Sequence, residues 1–284
     1  MIAPMESNNK REFVFTDKVF NHIRELVKVK TGIVLSEGKQ DMVYGRLTRR
    51  LRALKLPDFD SYIRIIKRKD SEELTHLVNA ITTNLTSFFR ESHHFDYLKN
   101  KVFPDLMERN AATQKIRIWS AGCSTGEETY SIAMTAKEFF PDDSGWDVKI
   151  LATDLDSNVV KTGKDGIYSL SRVEGVSNEY KKRWMRRGKG AKSDFVKMNP
   201  ELQQMITFKQ LNLLEEWPVK GPIDIIFCRN VVIYFDKDTQ RILFDRYADL
   251  LASDGKLFIG HSENMFNICD RFESLGDTVY RKTH

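Results

Sequence analysis

Ile116-Arg117-Ile118-Trp119-Ser120-Ala121-Gly122-Cys123-Ser124-Thr125-Gly126-Glu127-Glu128-Thr129-Tyr130 opens as a short apolar run that reads as a strand. It then passes through a loop of small residues. Glu127 to Met134 reads as the start of a helix. A strand, a Gly-containing turn and a helix N-terminus form the nucleotide-binding corner of a doubly wound α/β sheet. Small residues let the backbone approach a ligand closely. Phosphate binders use the positive end of the helix dipole at this place. Here two carboxylates, Glu127 and Glu128, occupy it instead. Two acids repel a phosphate and suit a ligand with hydroxyls to bond or a positive charge to complement. That favours S-adenosylmethionine, which carries a ribose and a sulfonium and no phosphate, over a dinucleotide. The plainer alternative is that the acids only complement the helix dipole.

The bulk of the chain sets bounds. Its 284 residues suffice for one large or two small domains with a real core. No apolar run approaches the roughly 20 residues of a membrane span. Met1 to Arg11 is polar and lacks the apolar centre of a signal peptide. A cytoplasmic protein is expected. Cys123, Cys228 and Cys269 are far apart and odd in number, without paired zinc spacing, so reduced thiols are expected. Cys123 has no adjacent base and reads as a small turn residue. The net charge of +5 fits nucleic acid, an anionic membrane surface or an acidic protein partner.

Outward toward the N-terminus, residues 1–15 read as disordered and residues 16–90 as a helical domain with a linker. Thr16 or Asp17 caps a first helix whose apolar face is Val19, Phe20, Ile23, Leu26 and Val27, ended by Gly32. Lys39 to Leu54 turns Val43, Leu47, Leu51 and Leu54 to a core. Arg46, Arg49 and Arg50 share another face, with Arg52 and Lys55 beyond. No acid stands between Asp41 and Asp58. A solvated face usually mixes signs, so this one suggests an anionic partner. Asp58 to Lys69 and Ser71 to Ile81 read as two more helices. Thr82 to Glu91 alternates polar groups with Phe88-Phe89 and reads as a structured segment reaching the ligand site, with Asn84 and Thr86 as hydrogen-bonders and Arg90 as a fixed cation. A helix from His93 to Arg109 follows. Its paired histidines lack a third ligand at metal spacing, so surface or capping roles and no metal are expected.

Residues 91–284 form the α/β domain. Val148 to Asp154 is the second strand and ends in the acid that such folds place on ribose hydroxyls, with Asp156 as the alternative. From Ile167 to Pro200 the pattern breaks into a basic insertion. Gly188-Lys189-Gly190 marks a hairpin-like turn before the half-exposed strand Phe195 to Met198. A small sheet has free edges, and an edge accepts a peptide as an added strand. Ile206 to Leu211 resumes the main sheet and ends at Asn212-Leu213. Ile223 to Asn230 reads as a buried central strand with polar residues at its carboxyl end, continued by Val231 to Phe235. Asp238 to Leu251 is a helix, Lys256 to Gly260 a strand, and Phe272 to Arg281 a closing strand or antiparallel pair.

Ala121 to Glu128, Thr83 to Glu91, Phe227 to Phe235 and Gly260-His261-Ser262-Glu263 together resemble the bacterial chemotaxis receptor methyltransferases, the CheR family. The motifs stand in the family's order, and the resemblance runs from about Phe20 onward. Many members have proline where this chain has Thr129, a change that leaves the ligand acids in place. The resemblance implies a Rossmann-like class I methyltransferase fold with an all-helical N-terminal domain and a small inserted antiparallel β-subdomain. It implies S-adenosylmethionine-dependent methylation of glutamate carboxylates on methyl-accepting chemotaxis receptors, with S-adenosylhomocysteine as product. Carried onto this chain, the cofactor site comprises Asn84, Thr86, Arg90, Glu128, Asp154, Asn212, Leu213, Arg229 and Asn230. The Arg46, Arg49 and Arg50 face would meet the receptor's acidic methylation helices. Gly188 and Gly190 would belong to a turn docking the C-terminal pentapeptide that some receptors carry. A monomer recruited to receptor clusters at the inner face of the membrane is expected.

A glutamate carboxylate is ionised at neutral pH, so its methylation needs no general base. Arg90 and Tyr234 are the candidates for steering it. Two other readings stay open: a methyltransferase acting on nucleic acid or a small molecule, and a cofactor-sensing docking protein that transfers nothing. The basic helix lacks the aromatic interleaving that stacks bases.

Overall fold

In the computed structural model, residues 11–68 and 71–283 are described. The chain divides into two compact units, the first ending at Thr82 and the second beginning at Thr83. Residues 83–90, expected to close the helical domain, thus belong to the second unit. The reason is local: Ser124 donates to the Asn84 carbonyl (2.9 Å), and Phe88 packs edge-on against Tyr168.

The first unit is helical: α1 (Asp17–Thr31), α2 (Gln40–Leu54), α3 (Phe59–Ile66) and α4 (Glu72–Ile81). Thr16 caps α1 by accepting from the Val19 amide, and Gly32 ends it in a left-handed turn, φ 74°. Helically spaced Val43, Leu47 and Leu51 are fully buried with Ile23, Phe59, Tyr62 and Leu77. Residues 1–10 of the expected disordered segment lie outside the described residues, as does Lys69, the expected end of the third helix, which stops at Ile66. Residues 11–15 correct the expectation of disorder. Phe15 is buried with its ring 4.7 Å from that of Phe59, and Arg11 pairs with Asp41 at 2.6 Å. An aromatic that buries this much surface offsets the cost of ordering its segment.

The second unit opens with α5 (His93–Tyr97), a wide turn Leu98–Val102 and α6 (Phe103–Arg109). His94 is expected at the surface or in a cap. It is instead fully buried, its Nε2 2.8 Å from the Asp277 carbonyl and 3.1 Å from Thr278 Oγ1, and burial lowers its pKa to about 4. The α/β core follows as β1 (Lys115–Ala121), α7 (Glu127–Phe139), β2 (Asp147–Asp154) and α8 (Ser157–Asp165). An insertion contributes β3 (Ile167–Ser169), α9 (Asn178–Trp184), β4 (Met185–Arg187) and β5 (Phe195–Met198). The chain then runs through α10 (Pro200–Gln203), β6 (Ile206–Gln210), β7 (Ile223–Cys228), α11 (Lys237–Leu250), β8 (Leu251–Ile259), β9 (Phe272–Ser274) and β10 (Val279–Lys282).

The main sheet has the order β6-β2-β1-β7-β8-β10-β9. Its first five strands are parallel, and β10 is antiparallel to both β8 and β9. Both faces are covered, which explains the apolar run Ile225 to Cys228 in β7, a strand buried at every position. Alternation along β1 sends Ile116 and Ile118 to one layer and Trp119 and Ala121 to the other. Where β7 meets β8, Phe227 stacks on Phe258 at 4.3 Å. The insertion forms a separate antiparallel sheet of order β3-β5-β4, as expected, with a helix, α9, added to it.

One element differs. Val231 to Phe235 does not prolong β7. The strand stops at Cys228, Asn230 takes φ 57°, and Val232–Tyr234 is a single tight turn. An apolar run reads as strand by composition alone, but here Val232 is buried in the layer with Leu243 and Phe244 while the backbone has left the sheet.

Candidate functional site

Glu128, Asp154, Asn212, Leu213, Arg229 and Asn230 stand at or after the carboxyl ends of β1, β2, β6 and β7, and Asn84, Thr86 and Arg90 come from the segment before α5. After β1 the loop folds over β2, because the amides of Gly122 and Cys123 both donate to the Thr153 carbonyl at 2.8 Å. Gly122 has φ 100°, and a Cβ there would lie 2.3 Å from Val231 Cγ2. Gly126, φ 98°, turns the chain into α7.

Asp154 ends β2. Its Oδ2 accepts from the Ser124 amide (2.8 Å) and its Oδ1 from the Asp156 amide (3.0 Å). Burial pushes its carboxyl up to about 6, against the pull of those two N–H groups. Asp156 is used otherwise. It caps α8 through the Asn158 amide (2.9 Å) and accepts from Asn84 Nδ2 (2.8 Å). Asp154 is therefore the acid of the pair whose remaining lone pairs suit hydroxyl donors.

Glu128 accepts from Ser120 Oγ (2.8 Å) and Arg229 Nη1 (3.2 Å). Burial raises its pKa, and Arg229 offsets part of that rise. The buried Arg229 guanidinium also reaches Glu91 Oε2 (3.0 Å) and donates to the Arg90 carbonyl. One cation thus ties the end of β7 to the start of α7 and to the Arg90-Glu91 pair. Arg90 itself donates to the Leu85 carbonyl (3.0 Å) and faces Glu91 at 3.9 Å, with its side chain 38% exposed. Thr86 lies in the same turn, partly exposed.

Asn230 precedes the turn after β7, and Tyr234 is its last residue. Glu263 fixes that turn: its carboxylate accepts the amides of Gly260 (2.6 Å), Asn230 (2.8 Å) and Ile233 (3.2 Å). A Cβ on Gly260 would sit 2.4 Å from Asn230 Nδ2, so the Gly260-to-Glu263 motif is a clamp between β7 and β8. Asn212 and Leu213 follow β6, held beside β2 by the Leu211 amide on the Asp154 carbonyl (2.9 Å). The Leu213 carbonyl is taken by Trp217 Nε1 (3.1 Å) and Arg246 Nη1 (2.7 Å), and its side chain is buried in the core layer with Trp119 and Ile226.

This donor set fits S-adenosylmethionine. Carboxylates and amides line the loop, which carries no lysine or arginine from Trp119 to Tyr130. Asp154, held only through backbone amides in its hydrogen bonds, supplies acceptors where a ribose would lie. The two glycines, 122 and 126, let the loop pack directly on Val231 and on Gly163 and Tyr168, where a Cβ would clash.

The arginine face in the first unit is less free than its sequence suggests. Arg46 Nη1 donates to the carbonyls of Ala80, Ile81 and Thr82 at 3.1, 2.9 and 2.7 Å and so closes the end of α4. Arg50 pairs bidentately with the buried Glu73, its Nη2 2.7 Å from Oε2. Arg52 pairs with Glu12. Arg49 and Lys55 are exposed. In the inserted sheet Gly188 lies in the β4–β5 connection, where a Cβ would come within 2.1 Å of the Lys192 carbonyl, and Gly190 takes φ 57°.

Glu91, Ser120, Ser124 and Glu263 were not assigned roles from sequence. Glu91 and Glu263 stood inside quoted motifs, but their partners are 138 and 33 residues away, and spacing cannot show such pairs.

The CheR methyltransferase all-alpha domain matches residues 18–82, and the CheR methyltransferase SAM binding domain matches residues 84–281. The chain is 44% identical to chemotaxis protein methyltransferase 2 of Pseudomonas aeruginosa over 284 residues, 98% of each chain. It is 43% identical to the chemotaxis protein methyltransferase of Salmonella typhimurium, covering 95% of this chain and 92% of that one. For the Escherichia coli chemotaxis protein methyltransferase the figures are 42%, 93% and 91%. With both of its domains matched and relatives 42–44% identical over nearly its whole length, the chain belongs to the CheR methyltransferase family.

Proposed function

We propose that this enzyme methylates glutamate side chains of chemotaxis receptors, giving methyl esters that adjust receptor signalling. The single observation that carries the reading is the loop of residues 121–128 with Asp154 and Arg229 around it, in a chain matched by chemotaxis methyltransferases over nearly its whole length. The cofactor supplies a methyl group on a sulfonium, and the glutamate carboxylate attacks it in line. Opposite charges neutralise in that step, so a site that aligns them and holds them away from water lowers the barrier. Asp154 orients the ribose. Glu128, held by Ser120 and Arg229, presents its acid to the cationic end of the cofactor. Arg90 and Tyr234 steer the incoming carboxylate. Arg90 already serves the Leu85 carbonyl and faces Glu91, so its grip on a substrate is moderated, as attack requires.

Of the cations predicted on the arginine stretch of α2, Arg49 and Lys55 are exposed and available to meet an acidic receptor helix. Arg46 and Arg50 serve the fold, which also removes the best-placed arginines from a phosphate-binding reading of α2. In the inserted sheet, the edges offered by β3 and β4 take a receptor's C-terminal peptide as an added strand. No helix among the described residues is long and apolar enough to cross a membrane. A cytoplasmic monomer, recruited to receptors through these two surfaces, completes the reading.

The test is mass spectrometry of a receptor cytoplasmic fragment incubated with enzyme and cofactor. A glutamate gaining one methylene mass, lost again in mild alkali, is expected. Modification of lysine, or none with several receptors supplied, would refute the proposal.

A further inference from the structure

Glu127 plays no part in the site described above, yet it is fully buried in the first turn of α7. Its counter-charge comes from the inserted β-subdomain. Arg172, in the short turn Leu170–Val173 after β3, brings Nη2 within 2.6 Å of Glu127 Oε1 and donates to Thr125 Oγ1, also at 2.6 Å. Thr125 Oγ1 in turn donates to Glu127 Oε2 (2.6 Å). On the same side Tyr168 of β3 donates its hydroxyl to the Thr125 carbonyl at 2.7 Å. These contacts converge on residues 125–127. Ser124, one residue earlier, holds Asp154, and Glu128, one residue later, holds Ser120 and Arg229. A shift of the 125–127 segment must therefore move both halves of the cofactor site.

We infer that Arg172 is a positioning residue for methyl transfer: from the root of the inserted sheet, through Thr125 and Glu127, it sets the height of the loop that receives the cofactor. The insertion is then part of the cofactor site and not only a docking module. The inference rests on reading the loop as the cofactor site. Burial of Glu127 makes the tie directional. Its carboxylate cannot move out to water, whereas the Arg172 side chain is 40% exposed and can be replaced at the surface.

The experiment is calorimetric titration of the full chain with S-adenosylhomocysteine, with melting temperature recorded alongside. Arg172→Met should weaken binding about tenfold or more, the scale of one lost positioning contact to a charged group. It also strands a buried charge, so Arg172→Met combined with Glu127→Gln keeps the test independent of folding. The double variant should regain the melting temperature and still bind weakly, because the tie to Thr125 is absent. Arg172→Lys should recover part of the affinity, and Lys197→Ala, on the exposed face of the same sheet, should bind like the unaltered chain. In steady-state assays the cofactor KM of Arg172→Met should rise while the receptor KM holds. If the double variant binds as tightly as the unaltered chain, the inference is wrong and Arg172 is only a stabilising partner. If the unaltered chain fails to bind S-adenosylhomocysteine, the cofactor reading and the inference fall together.

Discussion

Asp154 and Asp156 stand two residues apart after β2, and sequence left open which of them meets the ribose. The hydrogen bonds separate them, since Asp156 spends its oxygens on the α8 cap and on Asn84. The raised Asp154 pKa of about 6, caused by burial, has two signed consequences. Between the ordinary aspartate value and about 6 the folded chain holds a proton that the unfolded chain has lost. The free protein should therefore lose some stability as pH rises through that window. Cofactor binding requires the opposite state, the ionised acceptor. Affinity for S-adenosylhomocysteine should fall below pH 6, by up to about tenfold per unit. Asp154→Asn should bind weakly with that slope removed. Calorimetry across pH 5 to 8 checks this, and an unchanged slope in the variant would show that another group titrates. The Arg229 network illustrates the opposite case to Asp154. Its residues were in view, but a guanidinium shared by Glu91 and Glu128 joins segments far apart in the chain, and no local pattern encodes that.

At the scale of elements, strands were legible wherever burial on both faces produced an apolar run, as in Ile225 to Cys228. The same rule misled at Val231 to Phe235, where apolar side chains pack into the layer under a backbone that has already turned. The arginines of α2 are less free than their sequence suggests for a related reason. No acid lies near them in sequence, but α4 delivers Glu73 to Arg50 from 23 residues away. Arg50→Glu should thus cost about 2–3 kcal/mol of stability by setting two carboxylates together in a partly buried place, read as a lower melting temperature of the full chain. Arg49→Glu should melt within about 0.5 kcal/mol of the unaltered chain and is the clean probe of docking. If Arg50→Glu melted normally, the pairing with Glu73 would not hold the fold. In the inserted sheet, the 2.1 Å approach at Gly188 leaves no room for a Cβ. Gly188→Val should abolish binding of a receptor C-terminal peptide while S-adenosylhomocysteine still binds. A titration in which the variant keeps the peptide would separate the turn from the docking edge.

Over the whole molecule the charge is unevenly spread. Residues 167–200 hold nine Lys or Arg against three acids, +6, which leaves the other 250 residues at −1. The positive balance thus belongs to the insertion, as it should if that segment meets an acidic partner. Raising ionic strength should lift the receptor KM while the cofactor KM changes little, because screening weakens exposed attraction more than contacts within the site. Parallel rises in both would argue against a docking role for this charge.

The central claim is that Glu128, Asp154 and Arg229 hold a methyl donor for transfer to a carboxylate. Methyl transfer from labelled S-adenosylmethionine to receptor-containing membranes, followed by mild alkali, tests it most directly. Carboxyl methyl esters release volatile methanol under alkali, and N-methyl groups do not. The account predicts alkali-labile label on receptor bands. Alkali-stable label, or cofactor binding with no transfer to any receptor supplied, would contradict it.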